Sequence, residues 1–292
     1  MEWIFYTLFA ATGFGAMSVV AKNIMEDTSS VNYAALYSLL ALIFYTPVFL
    51  YYITTTNPKF KFYGLIAMIL SMIGNVLAFL VYNYSVKEGQ LSQVVPVTRL
   101  TPIFAAIIAA IALGEKLDLA LASGIILATS GAIIILKEDH ISYIHSLEDG
   151  IHTNAVKAAL ASALLYGMTS VADRYATQII QPEIYNYFIY IALSSGFLAT
   201  AYYKEKQPVK ELKKDFNEYR MLYILTGLTA AASSLAIFKA FSHAPAAKVT
   251  TVQQFQVLIP VVAGVLMFNE KNLGRKLIGS IILITGIAVT AI

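Results

Sequence analysis

Ten continuous apolar stretches fill most of this 292-residue chain, and each is about as long as one helical crossing of a lipid bilayer. A hydrocarbon core of about 30 Å takes roughly 20 apolar residues per helical span. Because 58% of the residues are apolar and only 13% are charged, this composition cannot supply the charged surface of a soluble domain. The stretches are too long and too continuous for the alternating strands of a β-barrel. The sequence therefore predicts an all-α, polytopic membrane protein.

The boundaries of the spans follow from charges and turn residues between the apolar stretches. The first stretch begins with an acidic residue and has no clear cleavage site, so we expect a retained helix and not a signal peptide. Two connections are long, and each is either a short helix on the membrane surface or a solvated tether: 137–156 and 204–220. The predicted spans cover about 3–24, 31–53, 62–84, 91–113, 119–136, 157–178, 184–203, 221–242, 247–268 and 273–292.

The chain contains an internal repeat. A shift of 155 residues aligns LVYNYSVKEGQLSQVVPVTRL with LAIFKAFSHAPAAKVTTVQQF without a gap, and a shift of 152 aligns FGAMSVVAK with YGMTSVADR. We therefore divide the chain into a first repeat, 1–137, a connecting loop, 138–156, and a second repeat, 157–292. Since each repeat has five spans, an odd number, the second repeat enters the membrane from the opposite side. This arrangement is an inverted repeat, as found in many secondary transporters.

Each repeat also has a helix that ends at a Glu after an apolar run, followed by a glycine-marked last helix. The Glu residues are Glu115 in PIFAAIIAAIALGEK and Glu270 in PVVAGVLMFNEK, and the last helices read GIILATSGAIII and GSIILITGIAV. In these features the chain resembles the EamA-like branch of the drug/metabolite transporter superfamily. The resemblance implies a central cavity lined mainly by spans 1, 3, 4, 6, 8 and 9, alternating access, and substrates such as amino acids and other small metabolites.

Prolines and glycines make two further structural predictions. A proline lies thirteen residues before the first Glu but only ten before the second, so we expect the ninth span to bend at a different depth from the fourth. Glycines seven residues, or two turns, apart give the last helix of each repeat a smooth face for close contact with another helix. These glycines are Gly124 and Gly131 in the first repeat and Gly279 and Gly286 in the second.

Arg99 is the most informative charged residue, because it lies about eight residues, or roughly 12 Å, into the fourth span. It stands between two prolines in VVPVTRLTP, where missing amide donors predict a kink. The repeat aligns Thr98 and Arg99 with Gln253 and Gln254, so we expect these residues on opposite walls of one cavity. Their side chains suit a carboxylate or phosphate. The alternative is a structural arginine bound to helix-end carbonyls.

Other polar and aromatic residues in the spans are weaker candidates. Phe79, Tyr82 and Asn83 are candidates for the cavity wall, and Lys239 is a candidate second cation. Ordinary helix packing and snorkelling are the alternatives. Asp173 and His243 are candidates for proton coupling, although a helix-end charge satisfied by its neighbours also explains them. We expect structural roles for the two Glu residues that end the fourth and ninth spans.

Several functional classes are not expected. No phosphate-binding loop, HExxH or GxSxG motif occurs, and the chain has no cysteine for a thiolate metal site. We therefore expect no enzymatic activity, no cofactor and no metal. A net charge of +3 without a dense basic face argues against nucleic acid. The expected partners are a small-molecule substrate and the lipid bilayer, and both a monomer and a homodimer remain open.

Together these features predict a secondary active transporter that exports small metabolites bearing a carboxylate or phosphate, with an amino acid as the first candidate. The alternative is a membrane-embedded enzyme or lipid-handling protein without transport activity. We expect a multi-pass protein of the plasma or inner membrane. Lys and Arg in the loops place both termini outside the cell, whereas the family resemblance places them inside.

Overall fold

The structure is a computed structural model that describes residues 2–56, 58, 60–136, 153–204, 207–268 and 273–291. Within these ranges the regular structure is entirely helical. The α-helices are α1 (Glu2–Ile24), α2 (Ser30–Thr55), α3 (Phe62–Glu88), α4 (Leu91–Thr98), α5 (Thr101–Leu113), α6 (Leu119–Leu136), α7 (Asn154–Thr177), α8 (Pro182–Lys204), α9 (Pro208–Glu218), α10 (Arg220–His243), α11 (Ala246–Gln253), α12 (Leu258–Phe268) and α13 (Leu273–Ala291).

Ten spans are formed by these helices. Nine segments of the described chain are long and apolar enough to cross a membrane, and one of them is the interrupted pair α4 and α5. The tenth span consists of α11, a 3₁₀ turn over Gln254–Val257, and α12. The all-α fold with ten spans is therefore confirmed, and the predicted boundaries lie within a few residues of the observed ones.

The ends of the ten spans lie on two opposite sides of the helix bundle. With ten spans, the start of α1 and the end of α13 lie on one side, the terminus side. The opposite side carries α9 and is called the α9 side. The predicted connecting loop lies mostly outside the described residues, and α7 begins at Asn154.

Helix contacts show the symmetry expected for an inverted repeat. The most extensive contacts are α6 with α13, α3 with α7, α2 with α8 and α1 with α10. Exchanging the two repeats converts α1–α10 into α7–α3 and leaves the other two pairs unchanged. A close contact repeats as well, because Gly15 packs against Ile259 and Gly167 packs against Phe104, the residue that aligns with Ile259. The two repeats are thus related by a pseudo-two-fold axis.

The last helices of the two repeats are in very close contact. A Cβ atom added to Gly131 would lie 2.7 Å from the carbonyl oxygen of Gly279. One added to Gly286 would lie 2.7 Å from the carbonyl oxygen of Gly124. Because glycine lets two backbones approach in this way, the predicted glycine contact is confirmed.

Breaks interrupt the fourth and ninth spans. The N–H groups of Arg99 and Leu100 donate to carbonyls three residues back, at 3.1 Å, and end α4. The predicted kink is therefore confirmed. The second break begins at Gln254, which aligns with Arg99, so the expectation that the ninth span bends at a different depth is wrong. Pro260 does not set that break, because it lies in the first turn of α12, where helix N–H groups have no helical partner.

The 204–220 connection, for which a short helix and a solvated tether were both open, contains the helix α9. Leu212 and Phe216 of this helix pack against the cluster around Tyr223 at the start of α10, whereas Val209 is exposed. Asn32 donates to the Asp215 carboxylate at 3.0 Å, and Tyr219 donates to the Asp27 carboxylate at 2.6 Å. This second bond raises the pKa of the Tyr219 phenol to about 12. These bonds attach α9, and the residue that follows it, to the start of α2 and to the turn before α2.

Candidate substrate site

A central cavity of about 570 Å³ lies between the two repeats. This volume is in the range of pockets that hold small molecules. The helix breaks and their flanks supply much of its polar lining, namely Thr98, Arg99, Thr101, Gln253, Gln254 and Gln256. The aromatic lining consists of Phe14, Tyr37, Phe79, Tyr82, Tyr166, Tyr190, Phe197, Phe238 and Phe241. The cavity therefore fits a compact ligand with both a polar and an apolar part.

Arg99 reaches this cavity without a counter-ion. Within the described ranges, no carboxylate pairs with its guanidinium group, and its buried Nε has no hydrogen-bond partner. Gln254 donates its amide to the backbone carbonyl of Arg99 at 2.8 Å, which joins the two breaks directly. Tyr82 lies close enough to interact electrostatically with the guanidinium group. Since no carbonyl of the described residues accepts from the guanidinium group, the alternative of a structural arginine gains no support.

The third span provides part of the aromatic wall. Phe79 and Tyr82 line the cavity, and the Phe79 ring packs on the Phe197 ring with 4.4 Å between their centroids. Asn75 lines the cavity one turn earlier on the same helix. Asn83 is not part of the cavity lining, and its amide donates to the Phe79 carbonyl at 2.9 Å. Of the three candidates on this helix, the structure therefore places Phe79 and Tyr82 in the cavity wall and Asn83 outside it.

Lys239 and His243 lie in a different place from the central cavity. They line a second pocket of about 380 Å³ on the terminus side. The Lys239 ammonium pairs with the Glu183 carboxylate at 2.9 Å and lies 5.9 Å from the centre of the Tyr6 ring. The His243 ring stacks on the same Tyr6 ring, with 6.5 Å between the two centroids. Neither residue contacts the space around Arg99.

Asp173 lies at the terminus-side end of the central cavity and is only 5% exposed. Ser71 and Tyr185 both donate to its Oδ1 atom, the tyrosine at 2.5 Å. Asn75 in turn donates to the Ser71 hydroxyl at 2.9 Å. A hydrogen-bonded chain thus runs from Asp173 to α3, the helix that also carries Tyr82.

A second set of polar contacts joins helices on the terminus side. The Glu115 carboxylate accepts from Arg174 Nε at 3.3 Å and from the backbone N–H of Ala246 at 3.1 Å. Arg174 also donates to the Phe241 carbonyl at 2.6 Å. One carboxylate therefore connects the end of α5 to α7 and to the start of α11. Glu270, the repeat equivalent of Glu115, lies outside the described residues.

Comparison with known proteins identifies the family. The EamA-like transporter family model matches residues 1–137 and 153–292. This chain belongs to the EamA-like transporter family. Members of this family are membrane transporters of the drug/metabolite type, so the chain is a multi-pass membrane transporter. The two matched segments correspond to the two repeats.

Solved structures share the fold of this EamA-like transporter. One, titled "Crystal structure of protein", is similar over 99% of this chain and 97% of its own, with a TM-score of 0.76 and 12% sequence identity. At this identity the similarity concerns the fold alone. In all, 29 chains of solved structures match. No curated protein matches the chain in sequence.

Several cavity residues of this EamA-like transporter were not predicted as site residues. Ser18 and Ser170 align in the 152-residue shift, and both line the cavity. That alignment was the available signal, because paired polar residues near a pseudo-two-fold axis meet at the repeat interface. Tyr37 and Tyr166 gave no such signal, since tyrosine is frequent throughout this chain.

Proposed function

We propose that this EamA-like transporter is a secondary active transporter that exports small metabolites bearing a carboxylate or phosphate group, by alternating access, with an amino acid as the first candidate. We propose that the protein resides in the plasma or inner membrane. One observation carries the substrate class: among the described residues, no carboxylate forms an ion pair with the Arg99 guanidinium group, and its buried Nε has no hydrogen-bond partner. A cation inside a bundle of apolar helices is costly unless an anion joins it.

Arg99 binds the anionic group of the ligand in this proposal. A guanidinium group offers parallel donors that match a carboxylate or phosphate. Thr98, Gln253 and Gln256 supply further donors and acceptors around it. The aromatic side chains enclose the rest of the ligand and keep water from it, which strengthens the polar contacts.

The position of the site supports alternating access. It lies between two inverted repeats, where two interrupted helices meet, and this is where secondary transporters commonly bind substrate. The cavity lining reaches Leu136, the last residue of α6 on the α9 side. On the terminus side, Glu115 and Arg174 hold the helices together. Because one chain supplies both halves of the cavity, we propose that a monomer is sufficient and that a homodimer would carry two separate sites.

The substrate class is tested by a thermal-shift screen of the purified protein against amino acids, organic acids and sugar phosphates. For the ligand that stabilises the protein most, Arg99→Gln removes charge-assisted bonds worth about 2 kcal/mol, so affinity should fall roughly thirtyfold. Arg99→Lys keeps the charge and should lose less. Arg220→Gln is the matched control, since Arg220 is exposed at the start of α10. Unchanged affinity in Arg99→Gln would overturn the proposed site.

Direction and membrane are tested in cells. Overproduction of the protein should increase release of the ligand found in the screen, and Arg99→Gln should abolish this increase while the protein stays in the membrane. A reporter fused after the last residue determines the orientation of the terminus side. Increased uptake in place of release would overturn export but not the binding site.

A further inference from the structure

A thin layer of side chains separates the central cavity from the second pocket. Asp173 and Phe238 line the central cavity, and the residues one turn further along the same helices, Thr177 and Ser242, line the second pocket. Tyr185 lies in the layer with its ring edge against Phe238, at a centroid distance of 4.9 Å. Asp173 is therefore the titratable carboxyl group between the two spaces.

The carboxyl group of Asp173 is surrounded by neutral groups. From α3 it faces the Ser71 hydroxyl, and from α8 it faces the Tyr185 hydroxyl. Both donate to Oδ1, and no described residue bonds to Oδ2, so Oδ2 is the atom that can take a proton. The aromatic residues of α10 in this layer carry no charge.

The charged residues on the neighbouring elements do not bond to this carboxyl group. On the terminus side, Arg174 pairs with Glu115, and Lys239 pairs with Glu183. Burial disfavours an ionised carboxyl group without a cation, whereas the two donated hydrogen bonds favour it. These opposing effects are what a group that exchanges a proton requires.

Charge balance connects Asp173 to the substrate site. Among the described residues that line the central cavity, Arg99 and Asp173 are the charged ones. With Asp173 ionised and the cavity empty, their charges sum to zero. A bound monoanion makes the sum −1, and a proton on Asp173 restores zero. Because a net charge in the low-dielectric bundle is costly, the neutral combinations are the ones that can change conformation at low cost.

We propose that Asp173 is a proton-binding site and that one proton crosses the membrane together with one net-anionic substrate. The proton moves from water in one pocket to Oδ2 of Asp173 and, after the conformational change, to water in the other pocket. Export is then driven by the outward gradient of the substrate and transfers the equivalent of a neutral acid. This inference rests on the proposed function and narrows it to ligands with a net negative charge.

The first test uses the proton itself as the probe. Infrared spectra of the protein in lipid, recorded across a pH titration, should show a carboxylic-acid component that grows as pH falls and is lost in Asp173→Asn, while the components of the other Asp and Glu residues remain. Tyr185→Phe removes one donor to the ionised form, so the midpoint of this component should move to higher pH. If Asp173→Asn does not purify as folded protein, the shift in Tyr185→Phe decides the test. A component that is present at every pH, at none, or unchanged in both variants would overturn the proposal.

The second test measures the link to Arg99 without any substrate. Arg99→Gln removes the positive charge as a bound anion would neutralise it. Because the positive charge of Arg99 favours the ionised form of a carboxyl group in the same low-dielectric cavity, the midpoint should move to higher pH in this variant. Arg220→Gln, the exposed control, should leave it unchanged. Equal midpoints in Arg99→Gln and the control would refute the coupling, while ligand binding in the thermal-shift screen would still stand or fall separately.

Discussion

Gly286 on α13 packs so closely against α6 that an alanine there must move the helices apart. The added Cβ would lie 2.7 Å from the carbonyl oxygen of Gly124 and closer still to the backbone nitrogen of Ala128. Neither is part of a side chain that can rotate away, and ordinary contacts begin at 3.4 Å. The closest of these contacts is the one to the nitrogen of Ala128, so the helices must separate by about 1.1 Å along that line to reach 3.4 Å. Overpacking of this kind costs about 1–3 kcal/mol.

The cost for Gly286→Ala should lie near the upper end of this range, because α6 and α13 form the most extensive helix contact in the described chain. At about 2–4 °C per kcal/mol, the unfolding temperature should fall by roughly 5–10 °C. The assay is thermal unfolding of the purified protein in detergent. Trp3, the single tryptophan, packs against the α6–α13 cluster, so its fluorescence reports on this contact.

Gly274→Ala is the matched control on the same helix. Its added Cβ would meet no described atom within 4 Å, and alanine favours the helix over glycine by about 0.5–1 kcal/mol. The unfolding temperature should therefore stay the same or rise slightly. If Gly286→Ala unfolds at the temperature of the unmodified protein while the control behaves as expected, the close contact does not carry the stability assigned to it.

Three further predictions concern the terminus side and α9. Glu115→Gln should weaken the contacts that join helices on the terminus side. Because the chain has no cysteine of its own, Ser242→Cys adds a single thiol there, and this thiol should react roughly tenfold faster with a water-soluble reagent in the Glu115→Gln variant. An unchanged rate would mean that Glu115 does not hold these helices together. Lys239→Glu should lower the unfolding temperature and the exchange of charges with Glu183→Lys should restore it, whereas additive losses would exclude their ion pair as the cause. Burial raises the pKa of the Asp215 carboxyl group in the folded protein. The contribution of Asp215 to stability is therefore greatest below its unfolded-state pKa of about 3.9 and is lost as pH rises through its folded-state pKa. Asp215→Asn should raise the unfolding temperature at pH 7 but not at acidic pH, and a gain that does not depend on pH would contradict this reasoning.

The spans and their symmetry were predictable because both depend on patterns that extend over many residues and not on single contacts. A run of some twenty apolar residues has few structural alternatives in a membrane, and an odd number of spans per repeat fixes the inversion. The kink at Arg99 was predictable from local chemistry, since prolines on both sides remove two amide donors.

The second break was not predictable from its proline. At this break Gln254 donates to the Arg99 carbonyl, a tertiary contact that no local pattern contains. The rotation of each helix about its axis is also set by its neighbours. For that reason the sequence could not place Lys239 in the second pocket, or show that Asn83 turns its amide to its own helix.

The contact of Glu115 with Arg174 and Ala246 also bears on how often the protein occupies an alternative conformation. In the proposed alternating-access cycle, its bonds to Arg174 and Ala246 would break when the terminus side opens. If they favour the closed state by about 2.7 kcal/mol, the alternative conformation is occupied roughly 1% of the time in the absence of ligand. In that proposed cycle, a stronger contact would slow the opening of the terminus side, and a weaker one would let it open more often. The strength of one carboxylate contact would therefore limit how fast the empty protein returns to bind its next ligand.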